Sequence, residues 1–128
     1  MDAGSASAPH FPQAAPIDAY GKGGFRFAGM SHQGSLLCMP DGIWAWQVAA
    51  PEDINEQTLQ HVLKRGDDLD TLIIGTGRTI WLPPTPLREA FRRHHVAIDA
   101  MQTGPAIRVY NIMVGERRRV AAALIAVA

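Results

Sequence analysis

The residues best suited to chemistry fall in two stretches. In the first, Gly75, Thr76 and Gly77 follow directly on a short apolar run. Glycines at the end of a buried strand let backbone N–H groups face a crevice, where anions and polar ligands bind. In the second, Thr103, Tyr110, Asn111, Glu116 and Arg118 supply a hydroxyl, a phenol, an amide, a carboxylate and a guanidinium within sixteen residues. Together these eight residues form a candidate binding crevice. They make no complete catalytic set, because no nucleophile stands beside a base and its orienting partner. The alternative stays open that these groups satisfy one another and the buried backbone around them.

Other chemistry-bearing residues point to ordinary structure. His10, His32, His61, His94 and His95 show no spacing to Cys or carboxylate that would make a zinc site. Asp67, Asp68 and Asp70 lack the glycine and distant glutamate of an EF-hand loop and read as a solvated loop. No metal site and no cofactor is expected. Ser31 and Ser35 lack the G-x-S-x-G elbow. Cys38 sits within a predicted strand, as a small buried hydrophobe. Lys22 lies in a glycine-rich loop, but no Ser/Thr follows it to open a helix, so a P-loop is not expected. Arg92 to His95 make a basic helix end, which suits a helix C-terminus.

Elements that would position the crevice can be read from periodicity. Strands are expected over 25–28, 35–39 and 43–48, the last two joined at the Pro40-Asp41-Gly42 turn. Trp44 and Trp46 share one strand face and read as packing at the core's rim. Asp53 and Glu56 have capping-box spacing before a helix that Gly66 ends. A buried strand over 71–74 leads into the Gly-Thr-Gly loop. A helix then starts with Thr85 as cap and Pro86 in its first turn, with Leu87, Ala90 and Phe91 facing inward. After a strand over 96–101, Thr103 is expected to cap a helix that stops at Gly115. On that helix Ala106, Ile107, Val109, Tyr110, Met113 and Val114 share one arc. The burial this implies for Tyr110 predicts a paired hydroxyl, expected to reach the 75–77 loop or Thr103. The run from 120 to 128 has no polar residue and reads as a strand covered on both faces. Strand, helix, strand, helix, strand implies crossover units of one hand.

Composition narrows the partners. Twelve basic and twelve acidic residues cancel, so no global field favours nucleic acid. With one cysteine there is no intramolecular disulfide, no secretory pattern opens the chain, and no apolar run reaches the ~18 residues of a membrane span. A cytoplasmic location follows as an expectation, without a transmembrane segment. Residues 1–16, rich in Ala, Ser and Pro, read as an extended or flexible tail, and 17–128 as one domain.

Several of these residues also carry a family resemblance. Leu72-Ile73-Ile74-Gly75-Thr76-Gly77 resembles the glycine-threonine-glycine signature of the Mth938-like family, a domain of unknown function. Thr103, Ala106, Tyr110-Asn111, Glu116, Arg118 and 120–124 match its C-terminal signature in order. The stretches 20–25 and 34–37 resemble its N-terminal part. Two departures stand out: Val109 where the family often has threonine, and Arg117 where it often has glycine. The resemblance implies a three-layer α/β fold with a central mixed sheet flanked by helices and an N-terminal β-hairpin. Relatives of the family include a mitochondrial assembly factor for respiratory complex I. The implied role is a non-enzymatic interaction or assembly module with a protein partner; a homo-oligomer is compatible with this reading. The competing role is a small-molecule binder or enzyme using the crevice at 75–77.

Overall fold

The computed structural model describes residues 8–128. Among these residues, two sheets, three α-helices and two short 3-10 turns make up the domain. β1 (Ala19–Gly21), β2 (Gly24–Phe27) and β3 (Met30–Gln33) form a small antiparallel sheet. β4 (Ser35–Met39), β5 (Gly42–Trp46), β6 (Thr71–Gly75), β7 (Ala97–Met101) and β8 (Val120–Leu124) form the main sheet in the order β5-β4-β8-β6-β7. β6, β7 and β8 run parallel, while β4 runs antiparallel to both β5 and β8, so the sheet is mixed.

The helices sit where the crossovers put them. α2 (Thr85–Arg92) connects β6 to its neighbour β7, and α3 (Thr103–Gly115) carries the chain back across β6 to β8. The two connections move in opposite directions across the sheet. Crossovers of one hand must then place their helices on opposite faces, and the packing follows this rule. Leu87 and Phe91 of α2 join Leu72, Ile74, Ala121 and Ala123 on one face, with Leu59 and Val62 from the segment around α1 (Gln60–Leu63). Ala106, Ile107 and Tyr110 of α3 join Ile73, Ala122, Leu124 and Cys38 on the other, where Phe25 and Phe27 of the small sheet also pack. β4 and β8 are buried along their whole length, as strands covered on both faces are.

Several expectations change in detail. The N-terminal hairpin is a three-stranded sheet: β1 occupies part of the expected loop at 20–24, and β3 was not anticipated. The final strand ends at Leu124 rather than running to 128. The capping box lies two residues beyond Asp53–Glu56. There Asn55 N–H donates to Thr58 Oγ1 and Thr58 N–H to Asn55 Oδ1, both at 2.9 Å, because both of these residues have side-chain oxygens that accept a backbone N–H. Regular helix follows only over Gln60–Leu63. Thr85 is the first residue of α2 and not its cap; Pro84 holds the cap position.

The N-terminal stretch is tied down from His10 onward; residues 1–7 lie outside the described residues. Phe11 bridges Ile43, with His10 N–H donating to Ile43 O at 2.8 Å and Ile43 N–H to Phe11 O at 2.9 Å. Ala15 and Ile17 are buried.

Candidate functional site

The carboxyl ends of the three parallel strands meet at one place. β6 delivers Thr76 and Gly77, β7 delivers Thr103, and β8 delivers Ile125. Thr76 N–H donates to Met101 O at 2.8 Å, Thr103 N–H to Gly77 O at 3.0 Å, and Ile125 N–H to Gly75 O at 2.9 Å. Thr103 Oγ1 lies at the centre. It accepts from Gly77 N–H at 2.9 Å and donates to Ile125 O at 2.8 Å. Thr76 Oγ1 donates to Thr79 O and lies 3.2 Å from Met101 O.

Thr103 therefore does not cap its own helix, contrary to expectation. Gln102 occupies the cap position without a side-chain cap bond, and Thr103 is the first helical residue. Its hydroxyl is turned toward two groups outside the helix, Gly77 N–H and Ile125 O, and makes no bond to an N–H of the first turn. Gly75 and Gly77 make the junction sterically possible. A Cβ on Gly75 would stand 3.0 Å from both Cα and Oγ1 of Thr103, and Gly77 holds φ +75°. The Thr76 and Gly77 amides, which a phosphate-binding loop would turn outward, are both engaged by the protein itself.

Tyr110 and Asn111 belong to a second site. The Tyr110 hydroxyl donates to Ala15 O at 2.9 Å, not to the 75–77 loop or Thr103 as expected. Its phase on the helix is as read, with the ring 1% exposed. The phenol lies further along α3 than the loop, however, and meets the incoming N-terminal segment instead. Asn111 grips the same segment: its Oδ1 accepts from Ile17 N–H and its Nδ2 donates to Ile17 O, each at 2.9 Å. Burial pushes the Tyr110 phenol well above its ordinary range. Burial also pushes the neighbouring Cys38 thiol up to about 12, which leaves almost no thiolate at neutral pH. Cys38 is the small buried hydrophobe expected.

Glu116 and Arg118 form a third group, at the far end of α3. They face each other at 3.6 Å with both side chains more than half exposed. The turn between them is a Schellman motif. Arg117 N–H donates to Val114 O, and Arg118 N–H to Met113 O, both at 2.9 Å. Arg117 takes the left-handed conformation, φ 58°, that the motif demands. The eight candidate residues thus fall into three groups: a strand-end junction, a clamp on the N-terminal segment and an exposed helix end.

Elsewhere the polar groups mostly find local partners. Asp67 meets His94 Nδ1 at 2.8 Å, and Asp70 meets Arg119 at 2.7 Å, a contact that lowers the Asp70 pKa. Ser35 donates to Val48 O at 2.6 Å and accepts from Ala126 N–H at 3.0 Å. Trp46 Nε1 donates to Thr58 O at 2.8 Å, and both tryptophans pack with the core, as expected. Among the described residues no group of three or more His, Cys, Asp or Glu is placed to hold a metal ion.

One feature was not anticipated. The loop from the junction to α2 leaves Ile80 82% and Leu82 80% exposed. Trp81 between them packs against the core. The run Thr79-Ile80-Trp81-Leu82 before two prolines was the available signal. An apolar side chain on each side of an anchored tryptophan, ahead of a helix start, belongs to a presented loop.

Residues 17–125 match the model of a family described as a protein of unknown function, DUF498/DUF598. The chain belongs to this family. As a DUF498/DUF598 member it is 60% identical to the Rpa2829 protein from Rhodopseudomonas palustris, over 98% of this chain and 92% of that one, with a TM-score of 0.82. It is 44% identical to a protein described as an outer membrane protein from Bartonella henselae, over 93% and 100%, with a TM-score of 0.88. A Mth938-like domain from Bordetella pertussis is 25% identical over 88% and 85%, with a TM-score of 0.78. The Mth938-like fold implied by the two signatures is therefore the fold observed. The mouse NADH dehydrogenase [ubiquinone] 1 alpha subcomplex assembly factor 3 is 31% identical over 116 residues, which is 90% of this chain and 62% of the mouse protein. The DUF498/DUF598 domain thus spans about three fifths of that assembly factor's length.

Proposed function

We propose that this domain is a protein-interaction module of the assembly-factor kind, without a reaction of its own, that binds a subunit or intermediate of a membrane or respiratory complex. The relationship to the mouse assembly factor supports the class of role. The observation that carries it here is the loop beside the junction. Two large apolar side chains there stand more than four-fifths in solvent on a loop held by Thr76, Trp81 and Gln102, whose Nε2 donates to Arg78 O at 2.9 Å. Apolar groups kept exposed on a fixed frame suit a partner's surface. The strand-end junction serves as that frame. Its amides are engaged within the protein, which favours this reading over a ligand crevice at 75–77.

No helix among the described residues is long and apolar enough to cross a membrane. We place the domain's action in the cytoplasm. The outer-membrane description of the Bartonella relative makes cell fractionation of the tagged chain the check on that placement.

The test is affinity purification of the tagged chain from its native cell, with and without the double change Ile80→Ser and Leu82→Ser. Both side chains are exposed, so stability should stay within about 0.5 kcal/mol of wild type while the partner is lost. Failure of the wild-type chain to recover any reproducible partner would count against the proposal. A metabolite that raises the melting temperature of wild type but not of Thr103→Val would favour the crevice instead.

A further inference from the structure

The main sheet has two edges, and the chain treats them differently. The β5 edge is covered by the N-terminal segment through the Phe11–Ile43 bridge. The β7 edge is the last in the sheet, and β7 pairs only with β6 among the described residues. The hydrogen bonds define which groups it leaves open. Ala97 N–H donates to Asp70 O at 3.1 Å and Met101 O accepts from Thr76 N–H at 2.8 Å. Ala97, Asp99 and Met101 thus turn their backbone groups toward β6. In a strand the intervening residues turn theirs the other way. Ile98 and Ala100 therefore present their N–H and C=O groups outward, as a template for another strand.

The surroundings of this edge are charged on both faces, with opposite signs. On the α2 side a hollow of about 400 Å3 is lined by Arg88, Arg92 and His95 together with 96–98. On the other side Asp99 is exposed. Arg88 and Arg92 stand four residues apart, about 6 Å along a helix axis. Alternate side chains of a strand are spaced ~6.7 Å. Two acidic side chains two residues apart on a strand added beside β7 thus match the two guanidiniums in spacing and sign. Arg92 also touches Glu89 at 3.2 Å, at a position largely exposed to solvent.

We propose that the open edge of β7 is a strand-addition site for an extended segment of a protein partner. That segment carries acidic residues at alternate positions facing α2 and neutral ones facing Asp99. The proposal rests on the interaction reading above and adds the mode of docking. Main-chain bonds from Ile98 and Ala100 supply affinity, and the two arginines supply sidedness and register. A second copy of this chain is a poorer occupant. Two-fold edge pairing sets each surface against itself, so Arg88, Arg92 and His95 would face their own counterparts.

The probe is a synthetic octapeptide of alternating Glu and Thr. Two controls accompany it: a Lys–Thr octapeptide, and one with the same four Glu and four Thr in two blocks. The readout is backbone amide NMR and hydrogen exchange on the full chain. The alternating Glu–Thr peptide should shift the Ile98 and Ala100 amides and slow their exchange. Raised salt, or the double change Arg88→Glu and Arg92→Glu, should weaken it at least tenfold. Ala100→Pro, which removes an outward N–H and takes none from the bonds to β6, should abolish it; the arginine variant, altered at exposed helix positions, decides the matter if the proline chain does not fold. No effect at Ile98 and Ala100, or equal binding of the block peptide, overturns the proposal. So does a self-dimer in sedimentation that Ala100→Pro abolishes. Co-purification separates the two levels. A partner recovered equally by wild type and the arginine variant would sink the strand-addition site and leave the interaction reading standing. If wild type recovers no partner, the interaction reading fails, and the strand-addition proposal falls with it whatever the peptide does.

Discussion

Thr103 shows how one hydroxyl can hold three strands in register. Its oxygen accepts from the loop after β6 and its proton goes to the segment after β8, while its own backbone continues from β7. Thr103→Val keeps the shape and strands a buried N–H, so it should lower stability by about 1–3 kcal/mol in urea titrations. Thr103→Ser should cost less than that. Equal loss for Val and Ser would mean the methyl, not the hydroxyl, matters there. Tyr110→Phe should cost about 0.5–1.5 kcal/mol, a typical net hydrogen bond, and speed amide exchange around Ala15 and Ile17. Tyr110→Ala should cost about 3–5 kcal/mol, as truncation of a fully buried aromatic does. The sequence showed that this hydroxyl needs a partner. It could not show that the partner lies 95 residues away on an irregular segment, because a carbonyl in a Pro-rich stretch carries no side-chain signature. His61 makes a different kind of prediction. Its Nε2 is buried without a hydrogen-bond partner, its ring lies against Trp44 at 4.3 Å, and burial lowers its pKa below 6.5. The folded state therefore binds protons less readily than the unfolded one. Stability is full above about pH 6.5, falls as pH drops below it, and levels off under the lowered pKa. His32 is shifted in the same direction, chiefly by burial, and adds to the effect. Urea midpoints at pH 8 and pH 5 should differ less in His61→Gln than in wild type. An unchanged difference would remove His61 from the account.

Elements with long periodic patterns were legible. The helix after Thr103 was legible from its single buried arc, although Thr103 and Gly115 are its first and last residues rather than its cap and its stop. β6, β4 and β8 are apolar runs bounded by turn residues. β3 was hidden because Met30-Ser31-His32-Gln33 is only half buried and offers no apolar alternation. Ala28 at its entrance turns with φ 51°, a conformation that no residue type there announces. The stop of α3 was read two residues early. Gly115 ends the regular helix, but the positive φ falls on Arg117. A non-glycine residue in that conformation is strained by roughly 1 kcal/mol. Arg117→Gly should relieve that strain, offset in part by a looser unfolded chain, for a net gain of about 0.5 kcal/mol. A lower melting temperature for Arg117→Gly would show that the guanidinium holds contacts worth more than the strain.

At the scale of the whole molecule, the N-terminal segment closes one edge of the main sheet and one end of the core that contains Cys38. Native Cys38 should resist thiol-labelling reagents at pH 8, and Phe11→Ala should raise the labelling rate by loosening that cover; equal rates would show that the segment does not limit access. The placement of β8 has a further consequence. Among the described residues it follows every other strand, yet it lies between β4 and β6 and alone links the antiparallel and parallel halves of the sheet. During synthesis on the ribosome, β4–β5 and β6–β7 can each pair early, but each half then waits with a bare apolar edge toward the missing strand. Closure comes only once residues 120–124 emerge from the exit tunnel. Arrested nascent chains ending before Val120 should remain protease-sensitive throughout, and chains extended past Ala128 by a tunnel-length linker should become resistant in a single step.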